Sequence, residues 1–593
     1  MKKLFLPIAL FFSLICFSQN EQLAQYYYDK GDFEKAKISF EELLKATPQN
    51  TLYFQKTIDC YQQLQLFDVA EKAIQTRLDK YKQASLLVEL GYNFQLQKNE
   101  TSAKKYYDQA IERINKNPNE VYSVSNSFER KVLLDYALQS YETAIKLVPT
   151  FNFNFQIALL YGQLGNTDKM ISTFLDEAFA NPLNSVYIQN QLARFIVEDG
   201  DETFNETLRK ELISRTQKSQ DVFWNQYLSW FYVQQKEFGK AFIQEKAIYK
   251  RNPESLESIE NLGQLAIEDA DETTAEEILN YILANTKELD LIIRTQSSLM
   301  DMKIKKAKEN NFETIDAELK TLLKEFEISP LTVSLQLIQA RFVAFKLQKP
   351  EEAKAIINKA LELELNPYEA AKIKMELADI LLLEEKYNQA LLYYSQIEEN
   401  LKNDVLAHEA SLKAAKTSYF QGDFAWALKQ FKELKSASTQ LIANDALEYF
   451  LLINDNTVSD STQTALKQFA KGDYLVYQNR DQEAIALFKS ILASFKGNEI
   501  EAVTLLRLGK IYEKQADFSL ALNQYQTIIT QHSEGIYSDE ALYFAAEIYS
   551  NKLQQPEMAK PLYEKIIFNH QDSIYFIEAR KKYRQLRGDT IAP

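Results

Sequence analysis

Glycine and proline are scarce in this chain, with 13 and 12 residues in 593. Turns that need special backbone angles are therefore expected to be few, and long strands joined by tight turns are excluded. Cysteine and histidine are scarcer still, at two and three, and there is no cysteine pair for zinc. Positive charge is in deficit: the net charge is −15. A chain this acidic lacks the field that draws in phosphate backbones, so no nucleic acid partner is expected. Catalytic signatures are missing as well. His408-Glu409 begins like a zinc-protease HExxH, but Leu412 stands where the second histidine must be. There is no GxSxG elbow and no phosphate-cradling GxxxxGK[ST]. The acidic turns beginning at Glu198 and Glu268 lack the glycine and terminal glutamate spacing of a calcium loop. The expectation is a chain with no catalytic residue, no cofactor and no metal, and not an enzyme.

What the chain does hold is helix-forming material rich in rings, with 34 Tyr and 36 Phe. That composition suits stacked amphipathic helices whose seams are filled by aromatics. At 593 residues the chain is too long for one compact core. Its first residues, "MKKLFLPIALFFSLICFSQN", run from Lys2 and Lys3 through an apolar stretch to Ser18-Gln19. This is the order of a secretory signal, read as residues 1–18, and the apolar run falls short of the ~20 residues that span a bilayer. Cys16 leaves with that signal, or alternatively carries a lipid, although Ile15 is bulkier than a lipobox prefers. Cys60, in "TIDCYQQL", reads as a small buried apolar residue.

A repeat dominates the rest. A small residue returns as Ala36, Ala70, Ala103, Ala137, Met170, Ala241 and Ala275 at a step of about 34 residues, with one degenerate copy around Thr207. It resumes as Ala353, Ala390, Ala427, Ala484, Ala521 and Ala559, mostly at a step of about 37. A ring follows, as Phe40 follows Ala36, and often a proline, as at Pro48, Pro149, Pro182 and Pro253. The alanine marks where two helices cross, the ring fills the space between repeats, and the proline starts the next connection. This divides the chain into a first arm, 19–283, a faded stretch or joint, 284–330, and a second arm, 331–588. The second arm holds an extra helix and polar loop near 441–461, and a disordered tail follows at 589–593.

With Ala103 and Tyr107 after Leu90-Gly91, and Ala137, Tyr141 and Pro149 after them, the chain resembles the tetratricopeptide repeat family. That resemblance implies an all-α fold, an α-solenoid of stacked helix hairpins in a right-handed superhelix, binding protein segments along a groove lined by first helices. Groove positions carried over are Tyr92, Asn152, Phe155, Gln226 and Trp230; each either packs between repeats or meets a ligand. The last part, with "HSEGIY" at His532 and "HQDSIY" at His570, resembles periplasmic repeat proteins of the Tol-Pal-associated and outer-membrane-assembly lipoprotein type. It implies residence in the cell envelope as a protein-binding scaffold, or as a subunit of such an envelope complex, or less directly as an accessory to a glycan-handling enzyme. Arg580, Lys581, Lys582, Arg584 and Arg587 close the last helix. They complement its dipole, or dock it on anionic lipid or an acidic partner.

Overall fold

The computed structural model describes residues 20–198, 202–437, 439–458 and 462–588. Residues 1–18, read from the sequence as a signal with Cys16, and 589–593, read as a tail, lie outside the described residues. Among those residues there is helix and no strand. The helices pair as hairpins, and sequence neighbours are neighbours in space, which is an all-α solenoid of stacked helix pairs.

One register recurs in the second helix of most hairpins. Its fourth residue is the small one: Ala36 in Phe33–Ala46, Ala103 in Glu100–Lys116, Ala390 in Tyr387–Asn400, Ala521 in Phe518–Gln531. All thirteen residues of the column that the repeat spacing singled out, Met170 included, are buried. Thr207 is not part of it. Helix Glu202–Lys218 instead buries Phe204, Leu208 and Leu212, and Thr207 stays half-buried. The ring after the small residue works inside its own hairpin as well as between hairpins. Tyr107 seats on Gly91 of its first helix while touching Phe128 and Tyr136 of the next pair. Tyr525 seats on Gly509 in the same way.

The scarcity of glycine misled on turns. First helices end with a left-handed residue two positions before the second helix. It is Gly31, Gly165 and Gly422 in three turns, but Gln65, Lys98, Val132, Glu385, Asn479 and Ala516 in others. The next amide donates back to the carbonyl five residues earlier, as Leu133 N–H does to Phe128 O (2.9 Å) and Lys386 N–H to Leu381 O (3.0 Å). This is the Schellman closure, whose geometry favours glycine without requiring it. Many turns therefore do use the special angle.

The described helices fall into two compact units, Met1–Gln234 and Gln235–Pro593. The expected joint at 284–330 does not coincide with that division. It holds helices Leu289–Lys305 and Phe312–Glu325, and Ile315 takes the fourth position of the second one, fully buried. The landmark faded there because isoleucine replaced alanine. Near 441–461 the extra helix is present as Gln440–Val458. It runs through Asn454–Val458, which the polar composition had assigned to a loop.

Two substitutions test these constraints. Val132 is β-branched, 74% exposed and left-handed (φ 57°), so Val132→Gly should raise unfolding stability by about 1 kcal/mol, read from a urea titration. A Cβ at Gly509 would overlap the Tyr525 ring. Gly509→Ala should therefore cost about 1–3 kcal/mol, and Tyr525→Leu in the same chain should recover part of it.

Candidate functional site

In the unit Met1–Gln234 the predicted groove residues fall in different settings. Tyr92, on helix Ser85–Leu96, is half-buried, and the Lys131 ammonium lies 4.7 Å from its ring centroid. That ammonium is almost fully enclosed and bridges Asp59 (2.7 Å) and Glu89 (3.2 Å), while Arg130 holds the other side of Glu89. Burial pulls the Lys131 pKa down, but the two carboxylates outweigh it and hold the pKa above its ordinary value. Tyr92 is thus one wall of a closed ion cluster. Asn152 is not on a first helix. It lies in the turn before Asn154–Gln163, exposed, where its oxygen accepts from Asn154 N–H (3.1 Å) and its amide donates to Glu177 (2.7 Å). Phe155 and Trp230 are half-buried rather than free rings. Phe155 packs between Phe174 and Tyr187, and Trp230 against Tyr227. Gln226 is exposed on helix Val222–Gln234. Cys60 is buried without a disulfide, and burial pushes its thiol up to about 12, which leaves it a poor nucleophile.

The exposed side chains of these first helices show an element that the groove positions caught only once. Asn126, Gln156, Asn190 and Gln226 stand on four consecutive first helices, each exposed. Tyr122 and Tyr187 are exposed rings on the same helices. An amide offers one donor and one acceptor group to a passing main chain, once per repeat.

In the unit Gln235–Pro593 the first helices carry a charge ladder. Opposite charges about one repeat apart in sequence meet: Glu260 with Arg294 (2.8 Å), Asp379 with Lys413 (2.6 Å), Asp473 with Arg507 (3.0 Å), and Arg341 with Glu376. Sequence reading missed these pairs, yet their signal was present as opposite charges about one repeat apart on first helices. Asp379, Lys413, Lys416, Asp473 and Arg507 wall a cavity of about 350 Å³ with Tyr394, Phe420, Tyr449 and Tyr477. Helix Thr464–Tyr477 reaches past the nearest hairpin to form it. Tyr474 and Tyr477 hydroxyls donate to the carbonyls of Leu382 (2.6 Å) and Asp379 (2.8 Å), and the Gln478 amide donates to Leu383 O (3.0 Å). Burial raises the Glu376 and Asp473 carboxyls above their usual values, against the pull of Arg341 and Arg507. Each wall charge has an opposite charge within the chain, Lys416 through Asp445 (3.1 Å), so the cavity holds no unspent charge for a ligand.

The terminal helix Phe576–Arg587 buries only Ala579. Lys582 is tied to both oxygens of Glu547 (2.7 Å each), which also accepts the Tyr563 hydroxyl. It is therefore a packing residue and not part of a free cationic face. Arg580 and Arg587 lie near the Phe576 and Tyr583 rings, and Lys581 and Arg584 are exposed. Among the described residues no three His, Cys, Asp or Glu side chains are grouped to hold a metal, and no helix is long and apolar enough to cross a membrane.

Tetratricopeptide repeat models match residues 20–50 and 343–405. The chain carries that repeat at those two places. No curated protein matches the chain. Among solved structures, it is similar to a chain of Naa15/Naa10 bound to HypK-THB at 14% identity, over 97% of this chain and 98% of that one, with TM-score 0.28. Yeast Tom70 matches at 16% identity over 85% and 99%, with TM-score 0.30. A chain of the APC/C hetero-tetramer Cut9-Hcn1 matches at 13% identity over 92% and 98%, with TM-score 0.25. Scores this low do not establish a common overall shape.

Removing one member of a buried pair tests the charge ladder. Arg507→Met leaves Asp473 enclosed with no cation and should cost about 3 kcal/mol or more at neutral pH. Asp473 already titrates above its unfolded value, and the substitution raises it further. The stability it allows is present below the unfolded pKa and is lost as pH rises through the folded one. The difference in urea midpoint between parent and variant should therefore be smaller at acidic than at alkaline pH.

Proposed function

We propose that this chain is a tetratricopeptide-repeat scaffold that holds extended segments of other proteins and works in the envelope of a bacterial cell. The observation that carries the reading is the row of exposed amides, Asn126, Gln156, Asn190 and Gln226, one on each of four consecutive first helices. An extended segment presents main-chain donors and acceptors at a regular rise, and repeated amides can grip it with little demand on its sequence. Tyr122 and Tyr187 supply rings beside them. Envelope residence is supported by the signal-like order of residues 1–18 and by the turns at His532 and His570.

A second reading makes the chain a fixed subunit of an envelope assembly machine, docked through its end. The terminal segment favours it: Ile574, just before the last helix, and Ile577 on it are 77% and 73% exposed, with exposed Lys581 and Arg584 further along that helix. Such an apolar and cationic face suits an anionic surface or an acidic partner.

The full chain, immobilised and exposed to envelope extract, should capture varied proteins, whereas the second reading expects one stoichiometric membrane complex. Replacing Asn126, Gln156, Asn190 and Gln226 together by alanine should cut capture roughly tenfold while leaving the melting temperature nearly unchanged, because exposed substitutions shift stability by about 0.5 kcal/mol or less. Unchanged capture by that variant would remove the amide row from the account.

A further inference from the structure

Arg77 stands near the end of helix Phe67–Tyr81 and is only 7% exposed. Its guanidinium lies over the Phe54 ring (4.4 Å) and near the Tyr81 ring (5.1 Å), and donates to Pro48 O (2.8 Å) and Gln49 O (3.0 Å). Its Nε is buried and has no hydrogen-bond partner, and among the described residues no carboxylate pairs with it. Burial accordingly pulls this guanidinium below its ordinary pKa. The same unit shows what normally completes such an arginine. Arg113, near the end of helix Glu100–Lys116, also donates to a loop carbonyl, Lys82 O, and its Nε donates to Glu120 (3.0 Å). Arg215 donates to Ser172 O and meets Asp176 and Glu211 at 2.7 Å. Seven residues beyond Arg77, where Glu120 follows Arg113, the chain has Ala84. A buried charge without a partner is costly, so native chains pair it.

Arg77 is in the wall of a groove of about 720 Å³. Leu44, Phe54, Val69 and Ala73 make its apolar floor, and Lys72 and Lys80 are exposed at its rim, with Asp68 the one carboxylate among its lining residues. Val69 is half open to solvent. No ion pair inside the chain engages either lysine among the described residues. On a molecule of net charge −15, this is an apolar slot with three cations against one carboxylate, and among the described residues none of the three is ion-paired within the chain.

We propose that this groove docks an acidic amphipathic segment of a partner protein, apolar side chains on Leu44, Val69 and Ala73 and carboxylates toward Arg77, Lys72 and Lys80. The inference rests on the scaffold reading but places a second contact surface on second helices, away from the amide row. Apolar burial gives affinity, and the cations select glutamate or aspartate over neutral or basic side chains.

The test uses the full chain and a fluorescein-labelled helical peptide with leucine along one face and glutamate along the other. Its counterparts carry glutamine or lysine in place of glutamate. The glutamate peptide should bind in an anisotropy titration, more weakly as salt rises, and the other two should bind at least roughly tenfold less tightly. Lys72→Glu with Lys80→Glu should lose roughly tenfold in affinity for it. Both sites are exposed, so folding is not at stake. Lys104→Glu with Lys210→Glu, an equal charge change on other second helices of the unit, should bind like the parent. No binding by the parent, equal binding of the glutamine peptide, an unaffected groove variant, or an equal loss in the charge control would each overturn the proposal. So would self-association of the parent that the groove variant abolishes, since the occupant would then be a second copy. The scaffold reading fails separately, if the parent captures nothing from envelope extract.

Discussion

Close approach of the two helices of a hairpin is the constraint on which the rest of the structure depends. It is enforced at one register, the fourth residue of the second helix, where a methyl group is usually all the space allows. With the crossing point set, the ring four residues on drops onto the first helix, and at Gly91 and Gly509 even a Cβ is excluded. The turn geometry then follows, because two helices held this close need the chain to reverse in a few residues. A left-handed residue and a Schellman closure do that with whatever side chain is present.

That hierarchy explains what could be read from residues alone. Ala36 to Ala559 was legible because volume at a crossing tolerates few substitutes, and the same intolerance makes the step visible. The turns were not legible, because the penalty for a non-glycine left-handed residue, ~1–2 kcal/mol, is small enough for Lys98, Val132 or Glu385 to accept it. The stretch 284–330 looked irregular for a related reason. Ile315 keeps the register with a larger side chain, so the geometry persisted after the letter changed. Asn454–Val458 looked like a loop because its polarity was counted and its continuity with the preceding apolar face was not.

The candidate site was less legible than the fold. Counting from a repeat template places a residue on a face, but it cannot say which neighbour arrives first. Phe155 and Trp230 meet rings of their own unit, and Tyr92 meets Lys131. Asn152 shows the limit at an element boundary, since its place before the helix makes its side-chain oxygen an acceptor for Asn154 N–H. The charge ladder was in principle readable. Asp473 and Arg507 stand one repeat apart on first helices, a buried charge has to find its opposite, and the repeat step says where to look.

Charge bookkeeping ties these observations together. The chain carries 68 basic against 83 acidic residues, so carboxylates are in surplus and most enclosed cations find one. Lys131 has two carboxylates, as does Arg507. Within a population paired this thoroughly, an enclosed cation with none is informative, because its pairing was not prevented by any shortage of acid. Arg77 is held in place by two carbonyls and two rings, which fix its position without neutralising it. Packing explains why the guanidinium is where it is; it does not explain why the acidic chain leaves that one charge open. A repeat fold makes the difference visible, since Arg113 occupies the comparable place one hairpin later and has its glutamate.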